Sequence, residues 1–153
     1  MQIEDILKTS KELSLSKRAV VNLLFTTNQI NSTLNRALKP FGISIQQFNV
    51  LRILRGQKNK PVTLAIVQQR MISKMSNTTR LIDKLIKKEL VEKEINQDNR
   101  RKLNIVITKE GLNLLNIVDD LIETTEKNIT KPLTKKESLE LIRLLGKIRL
   151  IAN

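Results

Sequence analysis

Apolar side chains recur at helical spacing between positions 17 and 38, where Val20, Val21, Leu24, Leu34 and Leu38 share a face with Thr27, Asn28 and Asn31. The pattern predicts a long amphipathic helix, and KPFG at 39 to 42 stops it with Pro and Gly. Ser44 and Gln47 then have capping-box spacing, in which the hydroxyl serves an orphan backbone N–H while the amide reaches back. A second helix should follow and end at Gly56, with Phe48, Leu51, Ile53 and Leu54 in the core. After the polar loop GQKNKP at 56 to 61, Thr63 is placed to cap a short helix bearing Leu64, Ile66, Val67 and Met71, and Ser73 to cap another. From Lys74 to Lys88 two faces separate at 100° per residue. Met75, Thr78, Leu81, Ile82 and Leu85 form one; Ser76, Asn77, Arg80, Asp83, Lys84 and Lys87 form the other. Two short helices in succession, the second with a polar face of this kind, suggest a helix-turn-helix.

The period then changes. Val91 and Ile95 alternate with charged residues, and Leu103, Ile105 and Ile107 alternate with Asn104, Val106 and Thr108, which predicts a half-buried antiparallel pair. The connection, residues 96 to 102, is longer than the roughly 2 to 5 residues common in hairpins. Asp98 can order it through an Asx-turn that fixes Arg100. Beyond Thr108, Leu112, Leu115, Val118, Leu121, Ile122 and Ile129 describe a second long helix, interrupted near Pro132. Thr134 and Glu137 have capping-box spacing before a last helix with Leu139, Leu141, Ile142, Leu145 and Ile148. The terminal helices are too apolar to stand alone, so they are expected to pair with a second copy of the chain, packing within one chain being the alternative.

Charge turns this outline toward a partner. The 153 residues suit one domain, and 28 basic against 15 acidic residues give a net charge of +13, which attracts polyanions, nucleic acid or anionic lipid. The excess is graded: 10 basic against 3 acidic residues at positions 1 to 60, 11 against 6 at 61 to 110, and 7 against 6 at 111 to 153. The last third should therefore face protein. With no Cys and no His, thiol chemistry, imidazole acid/base work and Cys/His metal sites are excluded, and no spacing suggests an enzyme, a metal or a cofactor. Phe25, Phe41 and Phe48 are the only aromatics, too few for stacking along single strands, so duplex DNA fits better. No secretory signal or membrane-spanning run of about 20 apolar residues is evident, and a cytoplasmic location is expected.

The order helix, helix, helix-turn-helix, hairpin, long helix, final helix resembles the MarR family of bacterial transcriptional regulators across essentially the whole chain. FGISIQQFNVLRIL looks like that family's lead into its second helix, and NTTRLIDKLIKKELVEK like its recognition helix running into the wing. DNRRKLNIVITKEG resembles its wing signature, with Asp98, Arg100, Thr108 and Gly111 at the matching positions. Two glycines frequent in the family are replaced here by Ile72 and Glu89. The resemblance implies a mainly α fold with a small β-hairpin wing: a winged helix-turn-helix lobe at 44 to 110, and dimerisation helices at 1 to 38 and 111 to 153. It implies a homodimer bound to a roughly palindromic operator, repressing by default. Ser73, Lys74, Ser76, Asn77, Thr79, Arg80 and Lys84 would meet the major groove and its phosphates; Arg100 would enter the minor groove, with Arg101 and Lys102 on phosphate. Such regulators release DNA when a small aromatic or anionic effector binds between dimer helices and DNA lobe, a crevice that would involve Phe41, Phe48 and Arg52. A non-specific architectural nucleic-acid binder and a helical protein-interaction adaptor remain as alternatives at this point.

Overall fold

In a computed structural model, residues 3–8, 13–58, 60–95 and 103–150 are described. A short α1 (Ile3–Leu7), not expected from the sequence, buries Ile3 and precedes α2 (Leu15–Leu38), which starts two residues earlier than its apolar pattern. Ser14 provides the reason, its side chain accepting the Lys17 N–H. The helix tightens into one 3₁₀ turn at Lys39–Phe41 and stops at Gly42, whose φ of 68° suits a residue without Cβ. α3 (Ile45–Arg55) opens with the predicted capping box: the Gln47 N–H donates to Ser44 Oγ at 3.2 Å, and the Ser44 N–H to Gln47 Oε1 at 3.0 Å. Phe48, Val50, Leu51 and Leu54 are buried, whereas Ile53 only borders the core.

A two-residue strand, β1 (Val62–Thr63), leads into α4 (Leu64–Arg70). Thr63 stands at the N-cap, but its side chain makes no capping bond, contrary to expectation. Its backbone pairs instead with Asn104 of a later strand. The second correction concerns α5 (Thr78–Lys87): it begins at Thr78, not after Ser73, because the Asn77 side-chain oxygen accepts the Arg80 N–H at 3.0 Å and starts the helix there. Residues 72 to 77 are thus a turn, and Met75, placed by periodicity on the apolar face, is 96% exposed.

β2 (Val91–Ile95) and β3 (Leu103–Ile107) pair antiparallel in the register Val91↔Ile107 to Ile95↔Leu103. With β1 they form a three-stranded sheet in the order β1-β3-β2, one strand more than the expected hairpin. Val91, Ile105 and Ile107 point into the core, but Ile95 is 66% exposed because the inward alternation runs out beyond the supporting helices. Asp98, Arg100, Arg101 and Lys102 lie outside the described residues. Of the two positions where the family often has glycine, Glu89 takes a left-handed φ of 58° and Ile72 does not.

α6 (Lys109–Thr130) starts at Thr108 and packs against α2 and α3, so Leu115, Val118 and Ile122 join Leu34 and Leu38 in one core. The outer sides of these long helices stay apolar and uncovered at Val20, Leu24 and Ile117. α7 (Lys135–Arg149) buries no residue and exposes Leu139, Leu141, Ile142, Leu144 and Ile148. Among the described residues no helix is long and apolar enough to cross a membrane.

The predicted cap of α7 forms: the Thr134 N–H donates to Glu137 Oε2 at 2.7 Å, and the Glu137 N–H to Thr134 Oγ1 at 3.3 Å. Hydrogen bonds from the Thr134 backbone, and then from its hydroxyl, hold the exposed Glu137 carboxyl below the usual glutamate value. A carboxyl lowered by folding contributes stability that is present above the unfolded value, about 4.3, and lost as pH falls through the folded one. Stability should therefore fall more steeply below about pH 5 in the wild type than in Glu137→Gln, which keeps the cap without titrating. Parallel stability-against-pH curves, followed by circular dichroism in urea, would refute this.

Candidate nucleic-acid interface

α5 is held by its inner face and offers its outer one. Thr78, Ile82 and Leu85 are buried against α3 and α4, while Thr79, Arg80, Asp83, Lys84 and Lys87 are exposed. Asp83, the one acid on this helix, is paired with Lys93 of β2 at 2.8 Å. The pair is exposed, so its contribution to stability is small, but it offsets the charge that would repel a phosphate and ties helix to sheet. Among the described residues no carboxylate pairs with Arg80, and its backbone is fixed by Asn77.

The turn and the first half of α5 border an open hollow of about 430 Å³ that gathers Ser73, Ser76, Asn77, Arg80 and Lys84. Five of the residues singled out from sequence thus come together. Thr79 is exposed on the same helix, whereas Lys74 is drawn back, its Nζ donating to the Gln69 carbonyl. Asn77 spends its side-chain oxygen on the cap, which leaves its amide hydrogens free to donate. Three further residues on the hollow do not stand out as contacts from sequence, one of them the half-buried Leu81. Gln46 comes from the first turn of α3, and tertiary packing alone brings it here; Met75 is one that periodicity assigns to the core. The cationic surface continues past Lys84 to Lys87 and Lys88, the latter donating to the Gly42 carbonyl.

A second cavity, about 470 Å³ and more enclosed, lies between α2, α3 and the turn after α4. Thr27, Leu34, Asn49, Met71 and Glu126 line it together with Phe48 and Arg52. The Arg52 guanidinium stands 5.7 Å from the centre of the Phe48 ring, a cation–π contact. Phe41, grouped with these two from sequence, is not on this cavity and packs against the core from the 3₁₀ turn.

This geometry has known counterparts. Residues 43–103 match the model of the MarR family, a span running from just ahead of α3 through the helix-turn-helix to the start of β3. The HTH-type transcriptional regulator PecS of Dickeya dadantii (strain 3937) is 29% identical over 123 residues, covering 78% of this chain and 72% of PecS. A MarR-like transcription regulator from Bacillus cereus ATCC 10987 superimposes with a TM-score of 0.81 at 25% identity, covering 92% of this chain and all of that one (100%). A mutant MarR from E. coli complexed with operator DNA shares the fold, with a TM-score of 0.79 at 24% identity over 90% of this chain and 99% of that one. The family is one of transcriptional regulators, not of enzymes. A helix-turn-helix with a cationic outer face, a strand pair behind it and long helices at both ends therefore has its counterpart: the chain is similar, in sequence over residues 43–103 and in fold over most of its length, to the MarR family of transcriptional regulators.

Proposed function

We propose that the chain acts in the cytoplasm as a homodimer that binds a pseudo-palindromic operator and represses transcription. The observation that carries this reading is the outer face of α5, where Arg80 and Lys84 stand beside Ser73, Ser76 and Asn77 with the helix's one acid neutralised. E. coli MarR, which shares the fold, is known in complex with operator DNA. Residues 44 to 110 form the DNA lobe; 1 to 38 and 111 to 153 form the dimer body. The uncovered apolar faces of α2 and α7 support this division, because such faces seek a partner.

In the bound state each α5 lies in a major groove, the two helices about 10 base pairs apart along the duplex. Arg80 grips guanine with two hydrogen bonds, Asn77 donates to a base acceptor, and Ser76 contacts a base edge or phosphate. Ser73, Thr79 and Lys84 meet phosphates, while Lys74, held to the Gln69 carbonyl, adds only its charge. In the wing, Asp98 orders Arg100 for the minor groove, with Arg101 and Lys102 on the backbone. The cavity at Phe48 and Arg52 receives a small aromatic or anionic effector that alters DNA affinity; Phe41 takes no part.

Selection from random duplexes followed by footprinting tests the proposal. One enriched palindrome, protected in two half-sites, is expected. Tight binding without enrichment would instead indicate an architectural DNA binder with affinity set by phosphate neutralisation. Little binding at physiological salt would indicate an adaptor.

A further inference from the structure

Single exposed apolar side chains are common on protein surfaces, and most need no explanation. Met75 differs in its surroundings. It is 96% exposed on the turn between α4 and α5, on the rim of the hollow that also holds Ser73, Ser76, Asn77, Arg80 and Lys84. Its neighbours are hydroxyls, an amide and two cations. The apolar residue in the same hollow, Leu81, is half-buried in its floor. Ile72 is also exposed but lines the cavity behind α3, so its placement answers to a different site.

The turn holds Met75 outward. The Ser76 N–H donates to the Ser73 carbonyl at 3.2 Å, the Lys74 ammonium is bound to the Gln69 carbonyl, and Asn77 closes the turn onto α5. An unbranched thioether presented in this way can fit an irregular apolar surface. The cationic rim selects a polyanion as what covers it, and duplex DNA offers one apolar group on its major-groove edges, the C5-methyl of thymine. Phosphates answer Lys84 and the acceptors of guanine answer Arg80. The methyl group answers neither, and a hydroxyl or amide gains nothing from it.

We propose that Met75 is a specificity-determining residue of the operator complex, covering the methyl of one thymine in each half-site. This rests on the regulator reading and adds a sequence preference to it. Met75 would exclude cytosine, whose edge carries an N–H donor and no methyl, from the same position. Discrimination then comes from apolar contact beside the hydrogen bonds of Arg80.

Deoxyuridine, which is thymidine without the methyl, isolates the contact. In the duplex recovered by selection, each thymine is replaced in turn and affinity is measured by fluorescence anisotropy at fixed salt. Burial of one methyl predicts that a single thymine per half-site shows about a fourfold loss, and about fifteenfold when both half-sites are changed. Met75→Ala should bind the thymine and uracil duplexes equally at that position, and Met75→Leu should restore the difference. Both variants should melt with the wild type, since the side chain is almost wholly exposed. Uracil tolerated at every position by the wild type would overturn the proposal, as would a uracil penalty that persists in Met75→Ala. Either of these results leaves the regulator reading standing. Failure to select any operator overturns both.

Discussion

Replacing Arg80 by Ala should lower affinity for the selected operator far more than affinity for random duplex. A guanidinium that grips guanine with two hydrogen bonds discriminates by about 1 to 3 kcal/mol, and a dimer makes the contact twice, so the specific complex should weaken roughly thirtyfold or more. Random DNA loses only one screened phosphate attraction per copy, a change of several-fold that disappears at high salt. The backbone should not respond, because the Arg80 N–H is held by the Asn77 side chain and that bond survives the substitution. Arg80→Lys separates charge from geometry: a point charge keeps the non-specific term and loses the planar fork. Anisotropy titrations on operator and random duplex at two salt concentrations give the result. Equal losses on both DNAs, or full rescue by Lys, would remove Arg80 from base reading.

The elements that write a local signal are legible in the sequence. Ser44 with Gln47, and Thr134 with Glu137, form the capping boxes their spacing predicts, because each box depends on contacts within one turn. The start of α5 is misplaced by its pattern for a physical reason. Ser73 and Asn77 are both competent caps, and Met75 falls in helical phase with Thr78, Ile82 and Leu85, so periodicity cannot tell a turn there from one more helical turn. The same ambiguity assigns Met75 to the core, whereas it stands exposed on the rim of the hollow. β1 has two residues and no period; its existence depends on Ile105 and Asn104 arriving from forty residues away, roughly the reach at which local pattern carries no information. Gln46 joins the site through the packing of α3 on α5, which no spacing records. Phe41 pairs with Phe48 on aromatic character alone, and the 3₁₀ turn that separates them sends it elsewhere. Glu89 is the converse: its departure from the family's glycine marks a backbone position, and the left-handed φ of 58° is there.

Gly111→Ala is the stability change with the largest expected effect, and its sign is opposite to the ordinary case. A glycine inside a helix normally costs about 1 kcal/mol relative to alanine, so the substitution usually stabilises. Here a Cβ on Gly111 would stand 2.3 Å from the Leu90 carbonyl oxygen and 2.7 Å from Ile107 Cγ1. The carbonyl cannot retreat cheaply. It accepts the Thr108 N–H at 3.1 Å, while the Thr108 hydroxyl donates to the Glu89 carbonyl at 2.7 Å and accepts the Gly111 N–H at 3.0 Å. Glu89 already stands at a φ that disfavours a side chain. Overpacking of about 1 to 3 kcal/mol and loss of a hydrogen bond worth about 1 kcal/mol outweigh the gain in helix propensity, so net destabilisation of about 2 kcal/mol is expected. At fixed protein concentration that is a drop in melting temperature of roughly 4 to 8 °C. Gly146→Ala in α7 supplies the control, since among the described residues a Cβ there would meet only Arg149 Nη2, at 3.9 Å, and should raise stability by up to about 1 kcal/mol. Urea unfolding of both variants decides the matter. If Gly111→Ala stabilises as Gly146→Ala does, the close approach of α6 to the Leu90 carbonyl, between α5 and β2, is not the constraint that its distance suggests.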